Sequence, residues 1–134
     1  MFHMLSCFDL KPDENIDSFR SAYARFVDEM KRADLVESTG PIGSRQSDTP
    51  MDTDDERKHK YFVIMSFRDR NQVDAAYAQI KKHIEPGEAS HDTIYTKVLD
   101  PVFICWQDLP DNTRWGHKPT YRKLEQLCLL CLNG

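Results

Sequence analysis

The stretch at residues 60–68, Lys-Tyr-Phe-Val-Ile-Met-Ser-Phe-Arg, constrains this chain more than any other. Between Lys60 and Arg68 the one small polar residue is Ser66. A strand of this composition leaves no side for water, so it belongs in the middle of a sheet and is covered on both faces. The rest of the chain has to supply those covers.

Residues 2–10 read as a second strand. Phe2, Met4, Ser6 and Phe8 face one way, and His3, Leu5, Cys7 and Asp9 the other. Lys11-Pro12-Asp13 stops it. Residues 14–34 predict a long amphipathic helix. Ile16, Phe19, Tyr23, Phe26, Val27 and Met30 form its stripe, Asp13 or Asn15 caps it, and Lys31 and Arg32 suit its C-terminal end. Residues 35–46 carry a short irregular edge strand, weakened by Gly40, Pro41 and Gly43. From Gly40 to Lys60 the large apolar residues are Ile42 and Met51, which predicts a polar loop crossing the surface. Residues 70–84 predict a second helix. Asp69-x-x-Gln72 resembles a capping box, and Val73, Ala76, Tyr77, Ile80 and Ile84 make its stripe. The last strand is expected within residues 94–107, with Pro101 marking an edge or a bulge.

This order predicts an α+β domain of the β-α-β-β-α-β ferredoxin-like type. Two right-handed crossovers put both helices on one face of a four-stranded antiparallel sheet, in the order 4-1-3-2. Residues 1–112 make the domain. Residues 113–134 are a tail, with a short apolar helix around Cys128-Leu129-Leu130-Cys131. Two helices cover one face of such a sheet. Whichever residue set they take, the other face is largely apolar and larger than soluble monomers expose. The expected remedy is a second copy packed sheet to sheet, a homodimer. The alternative is the chain's own tail folded back over that face.

Composition removes several functions. The chain has 134 residues and a net charge of −4, with a pI near 5.7. That balance gives no electrostatic footprint for nucleic acid. No secretory signal or membrane span is visible, so a cytoplasmic protein is expected. Four cysteines follow no disulfide spacing, Cys7 and Cys105 suit buried thiols, and the single C-x-x-C lacks a second pair for zinc.

The opening strand running into Lys11-Pro12, the long helix after it, and Tyr61 to Phe67 followed by Arg68-Asp69 at the second helix together resemble the dimeric α/β-barrel superfamily. Its stress-responsive and uncharacterised branch is the nearest in pattern, over residues 2–108. The resemblance implies a dimeric barrel. It does not select a reaction, because the superfamily includes cofactor-independent monooxygenases, haem enzymes, isomerases and proteins without known activity.

Six residues stand out as ligand-binding candidates: His3, Arg45, Asp48, His59, Tyr61 and Trp106. His3, on the first strand beside apolar neighbours, is a candidate general base, the role histidine side chains most often take, and His59 is a polar-tipped group near the core. Arg45 and Asp48 offer a fork donor and an acceptor close together in the polar loop. Tyr61 and Trp106, with Tyr23, Tyr77 and Arg68, have polar tips suited to an aromatic-walled cavity between helices and sheet. Asp52-x-Asp54 lacks the glycine and terminal glutamate of a calcium loop. His91-Asp92 has no nucleophile elbow beside it. No cofactor or metal is expected. The expected function is a homodimer that binds a small organic ligand. The alternative is a cofactor-independent monooxygenase or isomerase acting on an aromatic or quinonoid compound.

Overall fold

The computed structural model describes residues 1–83, 85 and 87–110. The tail and its cysteine pair therefore lie outside the described residues, as does Ile84.

The chain forms β1 (Phe2–Leu10), α1 (Ile16–Arg32), β2 (Ser38–Thr39), β3 (Gly43–Ser44), β4 (Tyr61–Phe67), α2 (Arg70–Lys81), α3 (Glu88–Tyr95) and β5 (Val98–Gln107). The sheet runs β2-β4-β1-β5, with β3 also on β4, and every pairing is antiparallel. With β2 and β3 as two pieces of the expected edge strand, this is the order 4-1-3-2. The long apolar run is β4, an inner strand, as its composition requires.

Local chemistry sets the boundaries. Asn15 caps α1 by accepting from the Ser18 N–H at 2.8 Å. Asp69 caps α2 by accepting from the Gln72 N–H at 2.9 Å. The Gln72 side chain returns to the Arg68 N–H at 2.7 Å, one residue before the cap. Pro101 sits at an irregularity of register. Cys7 pairs with Val102 and Asp9 with Leu99, so Asp100 and Pro101 bulge out opposite Phe8. Asp100 takes a left-handed φ of 50° there.

The core lies between α1 and one face of the sheet. Phe19, Tyr23, Phe26, Val27 and Met30 pack on Phe8, Val63, Met65 and Phe67, closed by Val36 and Ala76. The helices have taken the set Phe2, Met4, Ser6 and Phe8 from β1. The outer face therefore carries His3, Leu5 and Cys7, with Phe62, Ile64 and Ser66 from β4 and Val102, Ile104 and Trp106 from β5, matched across the strands. Ile64, Ile104 and Trp106 are 39%, 41% and 40% exposed, so a contiguous apolar patch faces solvent.

Four expectations need correction. The last strand was expected from Ile94, but residues 88–95 form a third helix, α3, and β5 starts at Val98. Tyr77, expected in the helix stripe, is 65% exposed, and Cys105, expected buried, is exposed. The polar loop does more than cross the surface. It folds around Arg45 and covers one end of the outer face, burying Cys7 and leaving the Arg45, Asp54 and Arg57 charges close enough to act on its thiol.

α3 takes no cap bond from its own N-cap residue; Glu85 supplies one, its Oε1 accepting from the Ala89 N–H at 3.1 Å. The helix begins at Gly87, whose φ of 99° disfavours any side chain. A Cβ there would lie 2.7 Å from Met30 Sδ, and Met30 is fully buried. Gly87→Ala is thus expected to destabilise the fold by about 1–3 kcal/mol through strain and overpacking, measured by urea titration; an unchanged midpoint would contradict this packing. α3 is tied to α1 by Ser90 Oγ, which donates to Glu29 Oε2 at 2.6 Å. That bond, ahead of a smaller opposing effect of burial and help from Arg25, lowers the Glu29 carboxyl below its usual value. A depressed carboxyl stabilises the fold above its unfolded pKa and loses that contribution as pH falls through the folded one. Ser90→Ala is expected to cost about 1 kcal/mol at pH 7, with a smaller deficit in acid below the depressed Glu29 pKa, where the carboxyl of either protein is protonated. A deficit that is the same at both pH values would rule out the ionised tie.

Candidate functional site

A cavity of about 550 Å³ opens between the helices and the core-side face of the sheet. Its walls are mostly apolar. β1 supplies Met4 and Phe8, α1 supplies Phe19 and Phe26, and β5 supplies Phe103. Tyr77 of α2, Tyr95 of α3, and Phe103 and Cys105 of β5 line it and are exposed, so they mark its mouth. The helices cover β1 and β4 more fully than β5, which is why the opening lies there.

The polar groups on these walls are few. Tyr23 is buried and its hydroxyl is engaged with Thr39 Oγ1 at 2.6 Å; burial raises its pKa, so it stays a neutral phenol. Arg70 is bonded to Asp74 at 2.9 Å. Ser6 contributes a hydroxyl from the sheet wall. His91 of α3 is half-buried, with Phe26 at 5.6 Å and Tyr95 stacked at 5.8 Å. Burial lowers its pKa, outweighing the opposite effect of Asp92, so the ring is a neutral imidazole at pH 7.

None of the six sequence candidates lines this cavity. His3 and Trp106 lie on the outer face, their rings 5.2 Å apart. His3 Nε2 donates to Asp108 Oδ1 at 2.9 Å, and in the neutral ring Nδ1 accepts from Ser66 Oγ at 2.7 Å. The His3 contact is the leading cause of the lowered Asp108 pKa. Ser66–His3–Asp108 has the connectivity of a hydrolase triad. However, β4 is paired at Ser66 to both β1 and β2, so the backbone donors an acyl-transfer site aims at an oxyanion are spent in the sheet. The network fastens Asp108, just past β5, across β1 to β4.

Arg45 is equally committed. Its Nε and Nη2 fork the Asp52 carboxylate at 2.8 Å each, and its remaining donors reach the Asp54 and Arg57 carbonyls. The fork holds Asp52 below the usual carboxylate range. With the side chain 13% exposed, Arg45 is the internal anchor of the loop, and Asp48 is exposed on its outside. His59 is buried and its Nε2 donates to the Asp100 carbonyl at 2.7 Å, bridging over β1 to the bulge. Its Nδ1 has no hydrogen-bond partner among the described residues. Tyr61 packs on Phe8, ring centres 5.7 Å apart, with Lys60 over its outer side.

The cavity residue that the sequence pattern left without a role is His91, weighed only as the pair His91-Asp92. Its signal was present as a histidine one helical turn before Tyr95, but the sequence did not announce α3. Among the described residues no group of His, Cys, Asp and Glu could hold a metal ion, and no helix is long and apolar enough to cross a membrane.

Solved structures share this fold at low identity. A protein of Arabidopsis thaliana is 11% identical, with a TM-score of 0.62 over 81% of this chain and 96% of that one. A variant of SnoaB, a cofactor-independent oxygenase of Streptomyces nogalater, is 14% identical, with a TM-score of 0.55 over 82% and 97%. A dimeric ferredoxin-like protein of unknown function from Jannaschia sp. CCS1 is 12% identical, with a TM-score of 0.56 over 80% and 98%. No curated protein matches the sequence. The match to a family is direct: over residues 1–118 the chain belongs to DUF6614, a family of unknown function.

Proposed function

We propose that this protein is a homodimeric α/β-barrel that binds a small planar organic ligand in the cavity between its helices and its sheet. The observation that carries this reading is the cavity itself: about 550 Å³, walled by aromatic and aliphatic side chains, with an aromatic mouth. That volume and lining suit a compact aromatic compound. The six candidates His3, Arg45, Asp48, His59, Tyr61 and Trp106 lie outside the cavity in this reading, and the ligand contacts pass to the cavity wall.

The second copy is proposed for the outer face. Leu5 is flanked in register by Ile64 and Ile104, with Trp106 beside them, and the covering loop reaches only the Cys7 end. The Jannaschia protein of the same fold is dimeric, which supports a second copy. A second functional reading, a cofactor-independent oxygenase or isomerase acting on the same ligand class, is supported by the fold shared with SnoaB and by a neutral histidine in the cavity wall.

A melting screen of the full chain against aromatic acids, quinones and phenols tests the cavity. A ligand at 100 times its Kd is expected to stabilise the protein by about 2.7 kcal/mol. Ser6→Leu, which pushes a larger side chain into the cavity, is expected to abolish the shift. Silence across the panel, or an undiminished shift in Ser6→Leu, would count against the site. For the dimer, light scattering at micromolar concentration is expected to give twice the chain mass of 15.7 kDa. Ile64→Asp should bring it to a single chain, because an unpaired charge at the centre of an apolar interface costs several kcal/mol (~3–5). A single-chain mass for the unaltered protein would contradict the dimer.

A further inference from the structure

We propose that His91 selects hydroxylated aromatic ligands by accepting a hydrogen bond from a phenolic or enolic O–H inside the cavity. This rests on the cavity being the ligand site.

Among the polar groups of the wall, Ser6, Tyr77 and Tyr95 offer hydroxyls, which donate as readily as they accept. Tyr23 is engaged with Thr39 and Arg70 with Asp74. The His91 ring, by contrast, makes aromatic contacts to Phe26 and Tyr95 and no hydrogen bond to a described residue. A neutral imidazole has one N–H donor and one acceptor lone pair. In contact with Phe26 and Tyr95 and itself part of the wall, it can be reached by a flat ligand entering past Tyr95, which stands at the mouth. An apolar ligand would fill the same volume but would strip water from the lone pair and leave it unpaired. A site that hydrogen-bonds a hydroxyl rejects the analogue lacking it for that reason.

The chemistry also limits what His91 does. A simple phenol titrates near 10 and an unperturbed imidazole near 6.5, so proton transfer is disfavoured more than ~1000-fold. Burial weakens this base further. His91 therefore holds the hydroxyl proton in a hydrogen bond and leaves it on the ligand. It acts as a recognition group.

The test compares 2-naphthol with naphthalene, which lacks the hydroxyl, by calorimetric titration of the full-length protein. His91→Phe keeps the ring stack without the acceptor, and His91→Gln keeps an acceptor. The 2-naphthol preference over naphthalene is expected to fall about five- to ten-fold in His91→Phe, with naphthalene affinity kept, and to be partly retained in His91→Gln. If both compounds bind and their ratio is the same in all three proteins, the role of His91 is overturned and the cavity reading stands. If neither compound binds the unaltered protein, the cavity reading fails with it.

Discussion

Everything in this structure follows from a sheet whose two faces are both apolar, packed against helices that can reach only one of them. Phe8, Val63, Met65 and Phe67 are satisfied by α1, and this makes the core. On the opposite side Leu5, Ile64 and Ile104 line up across three strands, half-exposed among the described residues. Hydrophobic burial scales with area at roughly 25 cal/mol per Å². The patch is therefore a standing free-energy gradient toward whatever covers it, and the dimer reading takes its force from that.

The same packing creates the cavity. α1 lies against β1 and β4, so the β5 side of the core face is left with a gap, and α3 stands at its border without filling it. Met30 against Gly87 and Glu29 against Ser90 hold α3 in place on α1. An eight-residue helix has little stability of its own. Its tertiary ties therefore position His91 and Tyr95, and the fold's least autonomous element carries the cavity's one uncommitted imidazole.

Much of the fold was legible because its strongest elements are periodic. The stripe from Phe19 to Met30, the run of β4, the Asp69–Gln72 cap and the break at Pro101 each have a local cause that survives in the folded protein. α3 was not legible. Its residues carry no apolar stripe, and its start depends on a glycine in a left-handed conformation packed against a distant methionine. The candidate site was harder still. Alternation along β1 separates His3 from Met4 onto opposite faces, but with both faces apolar nothing local says which one the helices take. The helices took the Met4 face, and His3 and Trp106 went to the other side. Arg45, singled out as a fork donor for a ligand, forks Asp52, seven residues along the same loop, a pairing that no periodicity announces.

The claim beneath the whole account is that a second copy covers the outer face. Isotope-filtered nuclear Overhauser spectroscopy on a mixture of labelled and unlabelled chains tests it most directly, because it records only contacts between different copies. The account expects cross-peaks joining the Ile64 and Ile104 methyls of one chain to the outer face of another. Methyl contacts confined within one chain, whether to solvent or to residues 111–134, would contradict it.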